Sequence, residues 1–253
     1  MENIKTAKGA TGILIFLLVL NILNMVDRTL ITSFGTSIIA DLNLSDSQFG
    51  LLTGPVFVFF YSIMGLFMGA LADRVHRPRL IAAGLVLWSV LTALSGLAKN
   101  FMQIGMSRLF IGVGESVMAP SAISMIADLY PKAKRGTATG IYYLGVPLGA
   151  GGSFIVAGVL GPMIGWRNCF FVLGAVGLIL ALGLLFLKDP KRGAMEEQGT
   201  SAEEAPQAGL MTGNWRRVVS EVVTTVKSTP ALAWTMLGAV FLHLPLGAGQ
   251  FAI

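Results

Sequence analysis

Six apolar runs separated by short polar turns leave this chain few ways to fold. They cover about 12–39, 48–72, 80–98, 101–129, 137–160 and 167–187. At about 1.5 Å of rise per residue, some 20 helical residues cross a hydrocarbon core of about 30 Å. Backbone groups find no water there, so each run must satisfy its own hydrogen bonds as a helix. The composition agrees, with 12% charged residues where soluble domains carry about 25%. The expected fold class is an all-α membrane protein. The first run is too long for a signal-peptide core and no small-residue cleavage site follows it, so it is retained as a helix. Ser45 is the expected cap of the second helix.

The polar segments order the chain. Residues 1–11 form a short tail, 12–187 the six-helix bundle, 188–229 a linker, and 230–253 the start of a seventh apolar helix. Residues 193–213 are rich in Gly, Ala, Glu, Gln, Ser and Pro, a composition that buries too little apolar surface to fold. The stretch from Trp215 to Lys227 carries valines at helical spacing and reads as an amphipathic helix on the membrane surface. Basic residues sort to alternate turns: Lys5 and Lys8, Arg74 to Arg79, Lys132 to Arg135, and Lys188 to Arg192. The opposite turns hold only Lys99 and Arg167. The positive-inside rule then puts the N-terminus in the cytoplasm. This sorting accounts for the net charge of +5 without nucleic acid.

Charge inside the runs is the next constraint. Asp27 and Arg28 interrupt the first run roughly 20 Å from either end, near the bilayer midplane. An Asp or Arg at the centre of a spanning helix costs about 2.5–3.5 kcal/mol on insertion scales, so both must face protein or a watery cavity. Glu115 repeats the pattern in the fourth run, 15 residues beyond Asn100 and 13 before Asp128. Arg108 stands two turns from Glu115 on the same face. A cavity lined by Asp27, Arg28, Arg108 and Glu115 would let each acid find a cation. Asp27 and Arg28 point about 100° apart around their helix, so the expected pairing is Arg28 with Glu115, leaving Asp27 to exchange protons. The competing reading is a structural salt bridge; buried pairs stabilise poorly relative to apolar replacements, which favours function. The interval of 88 residues from Asp27 to Glu115 recurs from Arg79 to Arg167, as an inverted repeat of two three-helix units would produce.

Weaker signals surround these charges. The glycines from Gly112 to Gly114 and from Gly145 to Gly152 permit close helix approach. Asn21 and Asn24 share the Arg28 side of the first helix, where they either bind solute or cross-link helices. Phe57, Tyr142 and Tyr143 are candidates to line an amphiphile pocket, against the plainer reading of packing. The single Cys169 lies in an apolar run, excludes a disulfide framework or a cysteine metal site, and reads as packing. No metal-ligand cluster, activated nucleophile or phosphate loop is visible, so neither a cofactor nor an enzyme is expected.

Several motifs resemble the major facilitator superfamily. Gly69-Ala-Leu-Ala-Asp73-Arg74-Val-His76-Arg77-Pro-Arg79 resembles its loop 2-3 signature G-x-L-a-D-r-x-G-r-k, with His76 in place of the usual glycine. The segment from Ile104 to Gly114 resembles the helix 4 motif with its arginine, and Trp166-Arg167 the start of helix 6. Val146 departs from the antiporter motif of helix 5. A closer similarity, to the Spinster-like branch, is carried by Asp27-Arg28, Leu44 to Leu52, Arg108 to Glu115, and Ile126-Ala-Asp128-Leu-Tyr-Pro.

That resemblance implies a six-helix N-terminal bundle of two inverted repeats, a central cytoplasmic loop and the start of helix 7. It implies a secondary active, proton-coupled transporter that moves an organic or lipid-like solute by alternating access. Asp27 and Glu115 would couple protons, with Arg28 and Arg108 as cross-helix partners. Gly69, Asp73, Arg74, Arg77, Asp128 and Arg135 would form the cytoplasmic gate. The expected setting is a bacterial inner membrane, with the C-terminal half of a longer transporter as partner and the present chain a fragment. The alternative function is a membrane sensor or assembly protein on the same fold.

Overall fold

The protein, seen as a computed structural model, is described for residues 6, 7, 9–195, 224, 228 and 234. It divides into a first unit, 1–196, and a second, 197–253. In the second unit Thr224, Ser228 and Trp234 are helical. The expected linker from 196 onward, the surface helix from Trp215 to Lys227 and the seventh segment otherwise lie outside the described residues.

The first unit contains only helices among its described residues. The first span is α1 (Ala10–Ser33), continued past a break at Phe34 by α2 (Gly35–Leu42). The second is α3 (Asp46–Thr53) and α4 (Pro55–Ala72). Ser45 caps α3 in a reciprocal box with Gln48, satisfying two amides that a helix start leaves free. Gly54 separates α3 from Pro55, which lacks the amide needed to continue the ladder. The third span is α5 (Arg77–Ser95). The fourth is α6 (Phe101–Glu115) followed by α7 (Met118–Leu129), so the helix breaks directly after Glu115. The fifth is α8 (Lys132–Tyr143) and α9 (Gly145–Ile155), ending in a π-helical turn at Val156–Leu160.

From Lys132 to Leu185 the backbone is helical almost without pause over 54 residues. That length would reach about 80 Å, far more than one bilayer. Gly165, with φ of +79°, turns the chain back, which only glycine does without steric cost. The sixth span is therefore the body of α10 (Gly161–Leu185) beyond Gly165.

Packing falls into two groups. The first span, α1, packs chiefly on α9 and α8, whereas α5 packs on α10 and α6, and α4 packs on α6. Backbone contact is close where glycine permits it. A Cβ built on Gly84 of α5 would lie 2.6 Å from the Gly114 carbonyl oxygen of α6, and one on Gly149 of α9 would lie 2.5 Å from the Ile22 carbonyl oxygen of α1. Gly114 immediately precedes Glu115, so this contact fixes the height and rotation of the acid.

The apolar core forms two clusters. One gathers Leu14, Leu17, Leu20, Trp88, Met125 and Tyr142 toward the basic end of the bundle. The other gathers Leu30, Ile31, Phe49, Ile104, Trp166 and Phe170 toward the opposite end, with Cys169 packed among them. Asp27, Arg28, Arg108 and Glu115 lie in the stratum between.

Candidate functional site

Asp27 and Arg28 leave α1 in different directions. Arg28 reaches α6, where its Nη2 donates to Glu115 Oε2 at 2.9 Å and its Nε to the same oxygen at 3.1 Å. The Glu115 side chain is fully buried, while 27% of the Arg28 side chain remains accessible. The guanidinium carbon of Arg28 sits 4.4 Å from the ring centre of Tyr61 and 4.8 Å from that of Phe57. These two α4 rings stack 5.5 Å apart. An aromatic face attracts a cation within about 6 Å, so α4 holds one side of Arg28 and Glu115 neutralises another.

Asp27 turns instead toward α5. The hydroxyl of Thr92, fully buried, donates to Asp27 Oδ2. Asp27 Oδ1 is buried and has no hydrogen-bond partner among the described residues. Arg108 donates from Nη2 to the carbonyl oxygen of Arg28 at 3.3 Å and lies 5.0 Å over Phe57. Its Nε and Nη1 are buried without a partner among the described residues, as are Glu115 Oε1 and Asn24 Nδ2.

The expected arrangement, in which each acid finds a cation, is therefore corrected in one respect. Glu115 has Arg28, but Asp27 forms no ion pair among the described residues and is held by a neutral hydroxyl. The rotation of α1 is the cause: with Arg28 aimed at α6, Asp27 is carried round to α5. Thr92 gave no sequence signal, because one hydroxyl in an apolar run is an ordinary helix residue.

The other candidates divide. Asn21 Nδ2 donates to the backbone carbonyl of Tyr142 at 2.8 Å, so Asn21 cross-links α1 to α8. Tyr142 is buried, whereas Tyr143 is exposed beside it. Phe57 is buried beneath both arginines rather than lining an open surface.

At the basic end Arg77, fully buried, gathers a second set of charges. Its Nη1 donates to Asp128 Oδ2 and to Ser124 Oγ, its Nε to Asp189 Oδ1 at 2.8 Å, and its Nη2 to the Pro190 carbonyl at 2.6 Å. Arg192 donates to the carbonyls of Ala72 and Val75, and the Gly193 amide donates to Asp128 Oδ1. Arg135 donates to the carbonyls of Tyr130 and Met195. Residues 189–195 thus form a strap across the bundle at the start of the expected linker, contacts that its composition does not announce. Of the expected gate, Gly69 lies on α4 beside Pro120, while Asp73 and Arg74 are exposed. The turn after α4 carries those two outward, whereas Arg77 opens α5 facing inward.

The opposite end has its own clamp. Asp41 Oδ2 accepts from Trp166 Nε1 at 3.0 Å and Arg167 Nε at 3.1 Å, and Arg167 Nη1 donates to the carbonyls of Gly96 and Ala98. No group of three or more potential metal ligands occurs among the described residues.

The family model for the Major Facilitator Superfamily matches residues 17–252. The chain belongs to that superfamily. Within it, the relatives place the chain in the Spinster-like branch. "Protein spinster" of Drosophila melanogaster is 31% identical over 91% of this chain and 39% of its own length. An "MFS-type efflux pump" of Mycolicibacterium smegmatis is 30% identical over 70% of this chain and 41% of its own. Among solved structures, a bacterial homologue of the human lysosomal transporter Spinster, inward-facing and unoccupied, matches with a TM-score of 0.69 at 33% identity. That match covers 82% of this chain and 48% of the other. The chain thus spans less than half the length of the relatives it matches. This major facilitator chain is an integral, multi-pass membrane protein, and its relatives are transporters rather than enzymes.

Proposed function

We propose that this chain is part of a proton-coupled secondary transporter that moves an organic or amphipathic solute by alternating access. The observation that carries the reading is Asp27, a fully buried carboxylate at mid-depth with one oxygen unpartnered among the described residues and no ion pair. Burial disfavours its charge and the field of neighbouring arginines favours it; a group held between such opposed effects can load and release a proton as the surroundings change. Next to it, the partly accessible Arg28 faces the α4 aromatics and is positioned to meet a solute.

In this reading Asp27 exchanges the proton, Arg28 and Glu115 change pairing as it does so, and Arg108 tunes the field. The solute contacts of this reading are the exposed Tyr143 and the buried Asn24, whose Nδ2 has no partner among the described residues, with Phe57 as the floor beneath the arginines. The Arg77 network is the cytoplasmic gate, because the positive-inside rule puts the basic end in the cytoplasm. The setting is a bacterial inner membrane. Only 11% of the most apolar window of the second span is buried, and a second six-helix half would cover that face.

Flux through vesicles containing the full-length protein tests the reading. A pH-sensitive dye inside the vesicles should report proton movement when an amphipathic solute such as a lysophospholipid is added. Asp27→Asn is expected to abolish that coupling; unchanged coupled transport in the variant would remove the role given to Asp27.

A further inference from the structure

The two packing groups of the bundle meet at mid-depth through few polar links. Arg28 crosses from α1 to Glu115 of α6, Arg108 returns from α6 to the Arg28 carbonyl, and Thr92 reaches from α5 to Asp27. Only the last of these holds the acid that lacks an ion pair. We propose that Thr92 is a positioning residue for proton exchange at Asp27: its hydroxyl ties the α1 carboxylate to α5 and favours the charged form of that carboxylate.

The geometry is specific. Thr92 is fully buried, and its hydroxyl is the sole hydrogen-bond donor to Asp27 among the described residues. A hydroxyl that donates to a carboxylate stabilises the ion more than the neutral acid. The bond also restricts the Asp27 rotamer, leaving Oδ1 as the free oxygen on which a proton can sit. When Oδ1 is protonated the Thr92 bond weakens, and the link between the α1 group and the α5 group loosens. Protonation is thereby tied to relative movement of the two groups.

Other charges act on the same carboxylate. Glu115 and Arg108 reach it from α6, and Arg28 from its own helix. Around them, α8 contributes the phenols of Tyr142 and Tyr143 and α4 that of Tyr61. Thr92→Val leaves all of these in place and is close to isosteric, so it removes the donor alone.

The inference rests on the reading of Asp27 as the proton-exchanging group, and its test needs no solute. Infrared difference spectroscopy of the full-length protein in lipid vesicles, titrated with pH, should show the C=O band of a protonated carboxyl group that disappears in Asp27→Asn. In Thr92→Val the midpoint of that band should move to higher pH by about one unit, the size expected for losing a hydrogen bond to a charged group. Thr92→Ser, which keeps the hydroxyl, should restore it. A wild-type midpoint in Thr92→Val, an equal shift in Thr92→Ser, or a band that survives Asp27→Asn would each overturn the proposal. Vesicles that show the Thr92→Val shift and its rescue but no proton-linked flux would uphold the role of Thr92 and sink the transport reading instead.

Discussion

Replacing Glu115 by Leu tests how the mid-depth charges hold together. The substitution leaves Arg28 with its aromatic contacts but no counter-ion. Removing one partner of a buried pair costs about 3–5 kcal/mol. With 27% of the Arg28 side chain accessible and the carboxylate fully buried, water recovers part of that loss, so the lower end, about 3 kcal/mol, is expected. Arg28→Met should cost more than Glu115→Leu, because it strands a fully buried carboxylate. The double variant, Arg28→Met with Glu115→Leu, leaves neither member of the pair without the other, while Asp27 and Arg108 stay in the stratum with opposite charges, so it should lose less than the two single variants summed. Equilibrium unfolding of the full-length protein in mixed micelles with a denaturing detergent gives the energies, and the double-mutant cycle isolates the coupling. Additive losses, with the double variant as unstable as the sum of the singles, would refute the argument that the two side chains form one energetic unit.

At the basic end, Arg77→Met should destabilise by about 3–5 kcal/mol in the same assay, since it strands Asp128 and Asp189 together. Asp189→Asn should cost less, and should expose the 189–195 strap to proteolysis while leaving the spans intact. Gly84→Ala should cost about 1–3 kcal/mol, because its Cβ would fall 2.6 Å from a backbone oxygen that cannot turn aside. Gly140→Ala, at an exposed helical position of α8 with open space around it, should instead stabilise by about 0.5–1 kcal/mol, because alanine loses less backbone freedom than glycine on forming a helix.

Much of the charged stratum was legible before any fold was known. Apolar run length gives the depth of Asp27 and Glu115, and the helical repeat separates Asp27 from Arg28 by direction. Those two quantities suffice to expect Arg28 to reach across to the other acid. They do not say what Asp27 meets, because that depends on the rotation of α1 about its own axis, held by Gly149 of α9 on Ile22 and by Asn21 on Tyr142 of α8. Asp189 was hidden for a different reason. Its neighbours Lys188, Pro190 and Lys191 have the composition of a loop, and nothing local announces that Arg77 arrives from the start of another helix.

Bilayer physics lets the sequence alone determine the helices, their alternating direction, the cost of their internal charges and, through its motifs, the superfamily. A spanning segment has no other way to satisfy its backbone. Tertiary structure decided the partners: Thr92 for Asp27, the aromatic pair for Arg28, the strap for Arg77, and a buried Arg108 edge with no partner among the described residues. Each of those choices turns on a few degrees of helix rotation and a few tenths of an ångström at glycine contacts, which only the packed bundle sets.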